Sequence, residues 1–295
     1  MALLSFKSSW EAAPRATPAN TMLLVVGDVH GHLEHLDAML VLLATEMARA
    51  RDRGLGCEVV LLGDYVDRGP NSLGTLRRVS GLLDAAAGPA HALCGNHDHY
   101  LIEFLLAEQP DPEALEAWCG NGGLTTLAEL GIDEAELVAR DPVELAARAR
   151  AAAGPDILSV LRRLALYRTF GSYVCVHAGI SPGKPLGEHA RNELLWLREP
   201  FLGGRGWKHP FTAVHGHTIR GPEVLAHRIA VDSGVYRTGV LSAVQLSGDR
   251  LRFLCVTSEP KLKAFKRLPG LEQARRFSTP EPIAVASQLA IAAST

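Results

Sequence analysis

Five short motifs rich in glycine, aspartate and histidine constrain this chain most, because each follows a run of residues typical of a buried strand. In chain order the motifs are GDVHG at 27–31, GDYVDRG at 63–69, GNHD at 95–98, HAG at 177–179 and HGH at 215–217. In an open α/β sheet, ligands bind at the carboxyl ends of the strands. We therefore expect an α/β fold that gathers the five motifs at one rim.

The segments around the first three motifs predict βαβ units, in which a helix crosses between strands. Helical periodicity of leucine and methionine fills the gaps between these motifs at 33–51 and 72–86. The strand-like runs that precede the motifs lie at 22–26, 58–62 and 90–94. We expect the main domain to span 22–257, with residues 1–21 as a flexible extension because they show no clean period.

The rest of the chain predicts a helical insertion, further strands and a tail. Residues 100–168 are rich in alanine, leucine and glutamate with prolines between them, which indicates an all-helical insertion. Residues 258–295 carry no recognisable chemistry and are expected to be a C-terminal tail. A second, largely antiparallel sheet is expected from short strand-like runs at 173–176, 212–214, 229–231, 240–246 and 251–256.

Composition excludes several classes of protein. The formal net charge of −2 supplies no basic surplus, so we expect no nucleic-acid partner. The five cysteines are scattered and never spaced as CxxC, which argues against a disulfide framework and favours a reducing, cytoplasmic compartment. No signal-peptide core or membrane-spanning run precedes the first motif, so we expect no membrane partner.

The residue types in the motifs predict a metal site. They offer carboxylate, imidazole and amide oxygen donors without thiolate, which suits Mn²⁺, iron or Zn²⁺ better than a soft-metal site. Two cations about 3.5 to 4 Å apart need a bridging carboxylate and a bridging water whose pKa the metals lower. We assign the bridging position to Asp64.

Together, the five motifs resemble those of the calcineurin-like metallophosphoesterases, in particular the phosphoprotein phosphatase branch with its bacterial serine/threonine phosphatases. The resemblance runs from about Met22 to Val256. It implies an α/β sandwich of two mixed sheets flanked by helices, and two divalent ions, with Mn²⁺ expected and iron or Zn²⁺ as alternatives. It also implies that the first metal is held by Asp28, His30 and Asp64, and the second by Asp64, Asn96, His177 and His217.

The same resemblance implies roles for four other side chains. His97 would be the general acid, with Asp67 hydrogen-bonded behind it to orient the ring. Arg68, and Arg198 in the segment before the last metal histidine, would grip the phosphate oxygens. The implied reaction is direct in-line attack on phosphorus by a hydroxide that bridges the metals, without a phosphoenzyme.

Three functions remain open for such a site. The first expectation is a phosphatase for phosphoserine or phosphothreonine in proteins, or for a phosphorylated small molecule, because Asp67 and Arg68 are both retained. The alternative is a symmetrical diadenosine tetraphosphate hydrolase, which residues 95–98 and the Ser72-Leu73 pair resemble. A remote third is a non-catalytic binding scaffold, which the retention of all six ligands disfavours.

Some residues near the motifs have a plainer interpretation. An isolated Asp28 or Asp67 beside a turn would usually bond its own backbone, and only the five-motif context favours a functional role. His215 is expected to pack or hydrogen-bond behind the ligands. Trp118 and residues 121–123 are predicted to be a packing anchor and a helix-ending turn.

Overall fold

The computed structural model describes residues 3–85 and 90–258 in full, together with the backbone of 272–277. The described strands are β1 (Leu3–Lys7), β2 (Glu11–Ala12), β3 (Thr21–Val26), β4 (Gly56–Leu61), β5 (Ala90–Ala92), β6 (Tyr167–Phe170), β7 (Tyr173–Val176), β8 (Thr212–His215), β9 (Glu223–Val224), β10 (Arg228–Ala230), β11 (Val240–Ser247), β12 (Arg250–Ser258) and β13 (Glu272–Phe277). The described helices are α1 (Leu33–Arg51), α2 (Ser72–Asp84), α3 (Asn96–Leu106), α4 (Pro112–Trp118), α5 (Leu124–Glu129), α6 (Glu134–Ala139), α7 (Pro142–Arg163), α8 (Arg191–Trp196) and α9 (Val235–Thr238), with a π-helical turn at Cys119–Gly123 and a 3₁₀ turn at Leu186–Glu188.

The larger sheet formed by the described residues has eight strands and carries the first three motifs. Its order is β13-β1-β12-β11-β3-β4-β5, and β2 pairs with β12. Strands β3, β4 and β5 are parallel, with α1 and α2 as the crossovers between them. Helix α1 has the bounds that its periodicity predicts, and Asn71 caps α2 by accepting a hydrogen bond from Gly74 N. Residue 86, where we expected α2 to end, lies outside the described residues.

The smaller sheet has five strands among the described residues, in the order β6-β7-β8-β10-β9, and carries the last two motifs. Strands β7, β8 and β10 are parallel neighbours, and the outer strands β6 and β9 are antiparallel to them. The expectation of a largely antiparallel second sheet is therefore wrong. Strands β11 and β12 belong to the larger sheet, where β11 pairs with β3. Strand β11 is buried on both faces from Val240 to Leu246, which suits a central strand that is covered on both sides.

Two of the three buried apolar clusters in the described residues lie on the two faces of the larger sheet. Alternation along β3 sends Leu24 and Val26 into the layer beneath the helices, whereas Leu23 and Val25 enter the layer shared with the smaller sheet. Val214 of β8 is part of that second layer. The result is two mixed sheets flanked by helices, which confirms the predicted fold class.

The insertion is all-helical, but its bounds differ from the predicted 100–168. The helices run from Asn96 to Arg163, because the GNHD motif forms the first turn of α3 and strand β6 already begins at Tyr167. Leu145 and Ile157 of α7 are fully buried in the layer beneath the helices. The insertion therefore shares the main core. None of the helices in the described residues, including the 22-residue α7, is long and apolar enough to cross a membrane.

The N-terminal segment is not the flexible extension that we expected at 1–21. Strand β1 pairs antiparallel with β12, and β2 pairs with β12 further along. The side chains of Leu3, Leu4 and Phe6 are buried. The physical reason is that β12 presents an edge beyond β11, and pairing satisfies its backbone groups. Local periodicity missed β1 because its apolar residues do not alternate strictly with polar ones.

The predicted C-terminal tail contains a further strand. The backbone of Glu272–Phe277 forms β13, which is antiparallel to β1 and ends the larger sheet. Strand β12 ends at Ser258, one residue beyond the predicted domain boundary. The remainder of the tail, 259–271 and 278–295, lies outside the described residues.

Removing the Phe6 side chain tests whether β1 is part of the folded domain. The ring is 8% exposed and packs in the layer between the sheets, so Phe6→Ala should lower the free energy of unfolding by about 3 kcal/mol. Urea denaturation followed by circular dichroism measures the change. Ser9→Ala, at an exposed position, is the control and should leave the midpoint unchanged. Equal midpoints for Phe6→Ala and the wild type would contradict the packing of β1.

Candidate metal centre

The five motifs lie at the carboxyl ends of β3, β4, β5, β7 and β8, as predicted, and hydrogen bonds tie their loops together. Val29 N and His30 N both donate to Asp64 O, at 3.1 and 2.8 Å. Gly216 N donates to His177 O at 2.8 Å. The two sheets are joined by His177 Nδ1, which donates to Leu62 O at 3.0 Å. The rim is therefore a single connected structure rather than a set of separate loops.

Asp64 occupies the middle of this rim, and its two carboxylate oxygens face different imidazoles. Oδ2 lies 3.5 Å from His30 Nε2, and Oδ1 lies 3.4 Å from His177 Nε2. The donor atoms of two groups lie within 4.8 Å of one another, and Asp64 belongs to both. One group also contains His30 and His97, and the other contains His177 and His217. This placement is the one that a carboxylate shared by two cations requires.

Asn96 brings an amide oxygen to the second group. Its Oδ1 lies 3.0 Å from His177 Nε2 and 2.8 Å from His217 Nδ1. All three side chains come from different loops, and Asn96 is held by its place in the first turn of α3. Together with Asp64 Oδ1 they form a cluster of oxygen and nitrogen donors of the kind that binds a divalent transition metal.

Asp28 reaches the rim from the loop after β3. Its Oδ2 accepts a hydrogen bond from His217 N at 2.9 Å. Its Oδ1 is buried and has no hydrogen-bond partner among the described residues. Gly216 makes this approach possible, because a Cβ at that position would lie 2.0 Å from Asp28 Oδ1. A buried carboxylate oxygen without a partner is costly and points to a cation as its missing partner.

Surrounding groups orient the ligand-bearing side chains. His30 Nδ1 donates to Val66 O at 2.9 Å, which leaves Nε2 to face Asp64. Asp98 accepts hydrogen bonds from Asp64 N at 2.7 Å, Tyr65 N at 2.8 Å and Gly95 N at 2.8 Å. Its side chain is fully buried. Asp98 therefore fixes the backbone that carries Asp64 against the first turn of α3.

The charges of these groups fit a pair of divalent cations. Burial lowers the pKa of His30 and of His217 to about 3, so both rings are neutral and offer lone pairs at physiological pH. Burial, together with the carboxylates of Asp232 and Asp64, raises the pKa of Asp28. Burial also raises the pKa of Asp232 to about 7. The rim thus holds more carboxylate than its own cationic groups balance, and bound cations would supply the missing charge.

Asp232 was not among the predicted site residues. It follows β10 by two residues, is 3% exposed, and accepts a hydrogen bond from Gly234 N at 2.7 Å. Its signal in the sequence is the Asp-Ser-Gly turn that follows the strand-like run 229–231. Like the first two motifs, that turn places a carboxylate two or three residues after a buried strand, and it marks the same rim.

Backbone strain is concentrated at the predicted site. In the described part of the chain six non-glycine residues have a positive φ, and five of them are site residues predicted from the motifs. These five are His30, Asp64, Asp67, Arg68 and His217, with φ between 43° and 73°. Such conformations cost roughly 1 to 3 kcal/mol each and persist where the surroundings enforce them. The strain is consistent with side chains held in place for function rather than for stability.

His97 and Asp67 form the hydrogen-bonded pair that the motifs suggest. His97 Nδ1 lies 2.6 Å from Asp67 Oδ2, and both side chains are buried. Burial opposes the charged ring, but Asp64 and Asp67 outweigh it and raise the pKa of His97. Because Asp67 engages Nδ1, the ring can present a proton toward the rim only through Nε2.

The helical insertion holds Asp67 from behind, which the sequence interpretation did not foresee. Trp118 Nε1 donates to Asp67 Oδ2 at 2.7 Å, and Thr126 Oγ1 donates to Asp67 Oδ1 at 2.6 Å. Trp118 is therefore more than the packing anchor we expected. The only signal in the sequence was its position, just ahead of the glycine-rich residues 119–123. These form a π-helical turn, a feature that often marks functional sites.

The two predicted arginines both reach the rim. Arg68 Nη1 lies 2.8 Å from His30 Nε2, and its guanidinium lies 4.4 Å from the ring centre of Tyr236. Arg68 N donates to Gly122 O at 3.3 Å, so the π-helical turn also positions this residue. Arg198 is exposed, and its Nε lies 3.4 Å from His217 Nε2. Each arginine thus borders one of the two imidazole groups.

Replacing the shared carboxylate tests the metal centre. We expect the wild type to bind two Mn²⁺ ions per chain. Asp64→Asn should weaken Mn²⁺ binding by more than the roughly 10- to 100-fold that follows from removing a residue hydrogen-bonded to a metal ligand. Isothermal titration of chelator-treated protein measures both quantities. Asp37→Asn is the matched control, because Asp37 is a buried carboxylate whose partner is Arg78. Unchanged Mn²⁺ binding by Asp64→Asn would contradict the shared site.

Comparison with known proteins identifies the family. Residues 21–237 match the family model of the calcineurin-like phosphoesterases. The chain is 25% identical over 265 residues to the bis(5'-nucleosyl)-tetraphosphatase PrpE [asymmetrical] of Halalkalibacterium halodurans, covering 83% of this chain and 98% of that protein. It is 32% identical over 160 residues to the symmetrical bis(5'-nucleosyl)-tetraphosphatase of Methylococcus capsulatus, covering 54% of this chain and 44% of that relative.

A solved structure supports the same fold. The crystal structure of a candidate diadenosine tetraphosphatase superposes with a TM-score of 0.53 at 21% identity, covering 81% of this chain and 96% of that one. Together with the family match, this confirms the resemblance to the calcineurin-like metallophosphoesterases, although the named relatives are tetraphosphatases rather than members of the phosphoprotein phosphatase branch. The chain belongs to the calcineurin-like phosphoesterases and is a metal-dependent phosphoesterase.

Proposed function

We propose that this protein hydrolyses bis(5'-nucleosyl) tetraphosphates, such as diadenosine tetraphosphate, at a phosphoanhydride bond. The observation that carries this proposal is the similarity to PrpE, which extends over 98% of that tetraphosphatase and 83% of this chain. The shorter matches to symmetrical bis(5'-nucleosyl)-tetraphosphatases support the same substrate class. They favour a nucleotide over the phosphoprotein substrate that we expected first from the motifs.

The residues that would hold the metals are those the motifs suggest. Asp28, His30 and Asp64 would hold one ion, and the second would be held by Asp64 together with Asn96, His177 and His217. The mixture of carboxylate, amide and imidazole donors suits Mn²⁺, iron or Zn²⁺, and the resemblance to the family favours Mn²⁺ among them. When bound, the two ions supply Lewis-acid stabilisation of phosphoryl oxygens and an activated water for in-line attack.

His97 would donate the proton that the leaving oxygen needs. Its Nδ1 is engaged by Asp67 at 2.6 Å, so the proton available to substrate is on Nε2. Asp67 receives two further hydrogen bonds from the insertion, which keep its carboxylate fixed behind the ring. The raised pKa of His97 favours the protonated form that a general acid requires.

The arginines would bind the phosphate chain. Arg68 lies beside His30, and Arg198 lies beside His217, so the two guanidinium groups flank the centre. A guanidinium can grip two phosphate oxygens at once and is always charged. A tetraphosphate chain offers phosphoryl groups on both sides of the cleaved bond, so each arginine could bind the groups on one side.

The His97–Asp67 pair also supports a second candidate function, which is the hydrolysis of phosphoserine or phosphothreonine. An alkoxide is a much poorer leaving group than a phosphate and depends more on protonation. The close contact between His97 and Asp67 would serve such a reaction well. The two candidates share the centre and differ in what the rim must recognise.

A substrate panel with added Mn²⁺ separates the two functions. We expect diadenosine tetraphosphate to be cleaved with a kcat/KM at least tenfold above that of a phosphothreonine peptide, a factor that corresponds to about 1.4 kcal/mol. Product analysis then shows where the chain is cut. Symmetrical cleavage yields ADP as the only nucleotide product, whereas asymmetrical cleavage yields ATP and AMP. Asp64→Asn serves as the inactive control. Peptide turnover far above nucleotide turnover would contradict the proposal.

Trp118→Phe tests the support that the insertion gives to Asp67. The substitution keeps an aromatic ring but removes the indole N–H that Asp67 accepts, and a hydrogen bond to a charged group contributes about 1.5 to 3 kcal/mol. We therefore expect kcat for the preferred substrate to fall about tenfold or more, with Mn²⁺ binding unchanged. Trp207→Phe, which removes an indole bond to Phe211 O, is the matched control. Equal kcat in both variants would show that Trp118 only packs.

A further inference from the structure

Aromatic rings form an arc around the metal centre. His30 and His97 are 4.8 Å apart, His97 and Tyr100 are 6.5 Å apart, Tyr100 and Trp196 are 5.6 Å apart, and Trp196 and His217 are 6.0 Å apart, measured between ring centres. Every contact in the arc is edge-on. The arc therefore runs from one imidazole group of the centre to the other. The mechanism uses the histidines, but it gives no role to the tyrosine or the tryptophan.

Trp196 is the member of this arc that is open to solvent. It ends helix α8 and is 37% exposed, whereas Leu194 and Leu195 of the same helix are buried. The helix is anchored next to the centre, because Ala178 N donates to Leu194 O at 3.0 Å. Tyr100, half-buried on α3, packs against the indole at 5.6 Å between ring centres, with the two rings close to perpendicular. The ring is thus held in a defined place while part of its surface remains available.

We propose that Trp196, supported by Tyr100, is the surface on which one nucleobase of the substrate stacks, an assignment that rests on the proposed function. Every base has a π face, and stacking on an aromatic side chain is a common way to bind one. The neighbouring chain supplies the complementary contact, because Arg198 lies two residues further on and borders His217. A base platform beside a phosphate-binding guanidinium is the pair of contacts that a nucleotide requires.

The geometry favours a nucleotide over a peptide at this position. A phosphopeptide presents a flexible chain with varied side chains, and it gains little from one flat ring. A nucleoside polyphosphate carries a planar base at the end of its phosphate chain. With the phosphates at the centre, that base would lie to one side of it, and Trp196 is the exposed aromatic ring next to His217.

The experiment compares the binding of ADP and of inorganic pyrophosphate to the Mn²⁺-loaded protein by isothermal titration. Both ligands carry two phosphates, and only ADP carries a base. Loss of one stacking contact should weaken ADP binding to Trp196→Ala by roughly 5- to 150-fold, and pyrophosphate binding should stay within about twofold. Trp196→Phe should retain most of the ADP affinity. Leu225→Ala is the matched control, since Leu225 is a comparably exposed apolar residue at 39%.

Each outcome decides the proposal. If Trp196→Ala weakened the binding of ADP and of pyrophosphate equally, the indole would only support the centre. If it weakened the binding of neither ligand, the base would bind elsewhere. Both results overturn the platform. This measurement needs no turnover, so it is independent of the proposed function, which fails instead if the wild type leaves diadenosine tetraphosphate intact. If the wild type leaves diadenosine tetraphosphate intact but still binds ADP in a way that depends on Trp196, the stacking role of Trp196 stands and the nucleotide substrate is a different one.

Discussion

The position of one carboxylate determines what the rim can do. Asp64 directs one oxygen toward His30 on the larger sheet and the other toward His177 on the smaller sheet, at 3.5 and 3.4 Å. It lies just after the end of β4 with a positive φ, and Asp98 accepts hydrogen bonds from Asp64 N and from the neighbouring Tyr65 N. If Asp64 moved, the two imidazole groups would no longer share a donor. The packing of the sheets against each other is therefore what brings the two halves of the centre together.

The helical insertion is the second contributor to the centre. Trp118 and Thr126 bond the Asp67 carboxylate, and Gly122 O receives the Arg68 N–H, so elements far along the chain set the geometry of the second motif. Five strained residues at the rim each cost roughly 1 to 3 kcal/mol, which the surrounding core and hydrogen bonds must offset. The strained backbone thus lowers the stability of the fold while it fixes the positions of the side chains at the centre. Fixed positions suit a site that works by positioning and electrostatics.

The α/β class and the meeting of the motif residues could be predicted from local patterns, whereas the sandwich of two mixed sheets was implied by the resemblance to the family. Hydrophobic periodicity defined α1 to the residue, and the strand-end positions of the motifs required them to share one rim. The pairing of strands that are distant in sequence could not be predicted in this way. The pairing of β1 with β12, and the place of β11 beside β3, depend on which sheet edges remain free after the other strands pair.

Contacts between side chains distant in sequence escaped prediction for a related reason. Trp118 lies 51 positions from the Asp67 that it bonds, and nothing local to either residue indicates the contact. Asp232 carried a local signal, a carboxylate after a strand, but it had no partner motif to give it weight. Recognition of the proposed substrate would depend on the outer rim, where Trp196 and Arg198 follow no pattern as strong as the five motifs. The positions of side chains close to the centre were therefore more predictable than those of the side chains around it.

Anomalous diffraction from crystals grown with Mn²⁺, measured at the manganese absorption edge, tests the central claim most directly. We predict two peaks per chain, both in contact with the Asp64 carboxylate, one on the side of His30 and the other on the side of His177. A single peak, or two peaks of which only one touches Asp64, would contradict a centre built around a shared carboxylate.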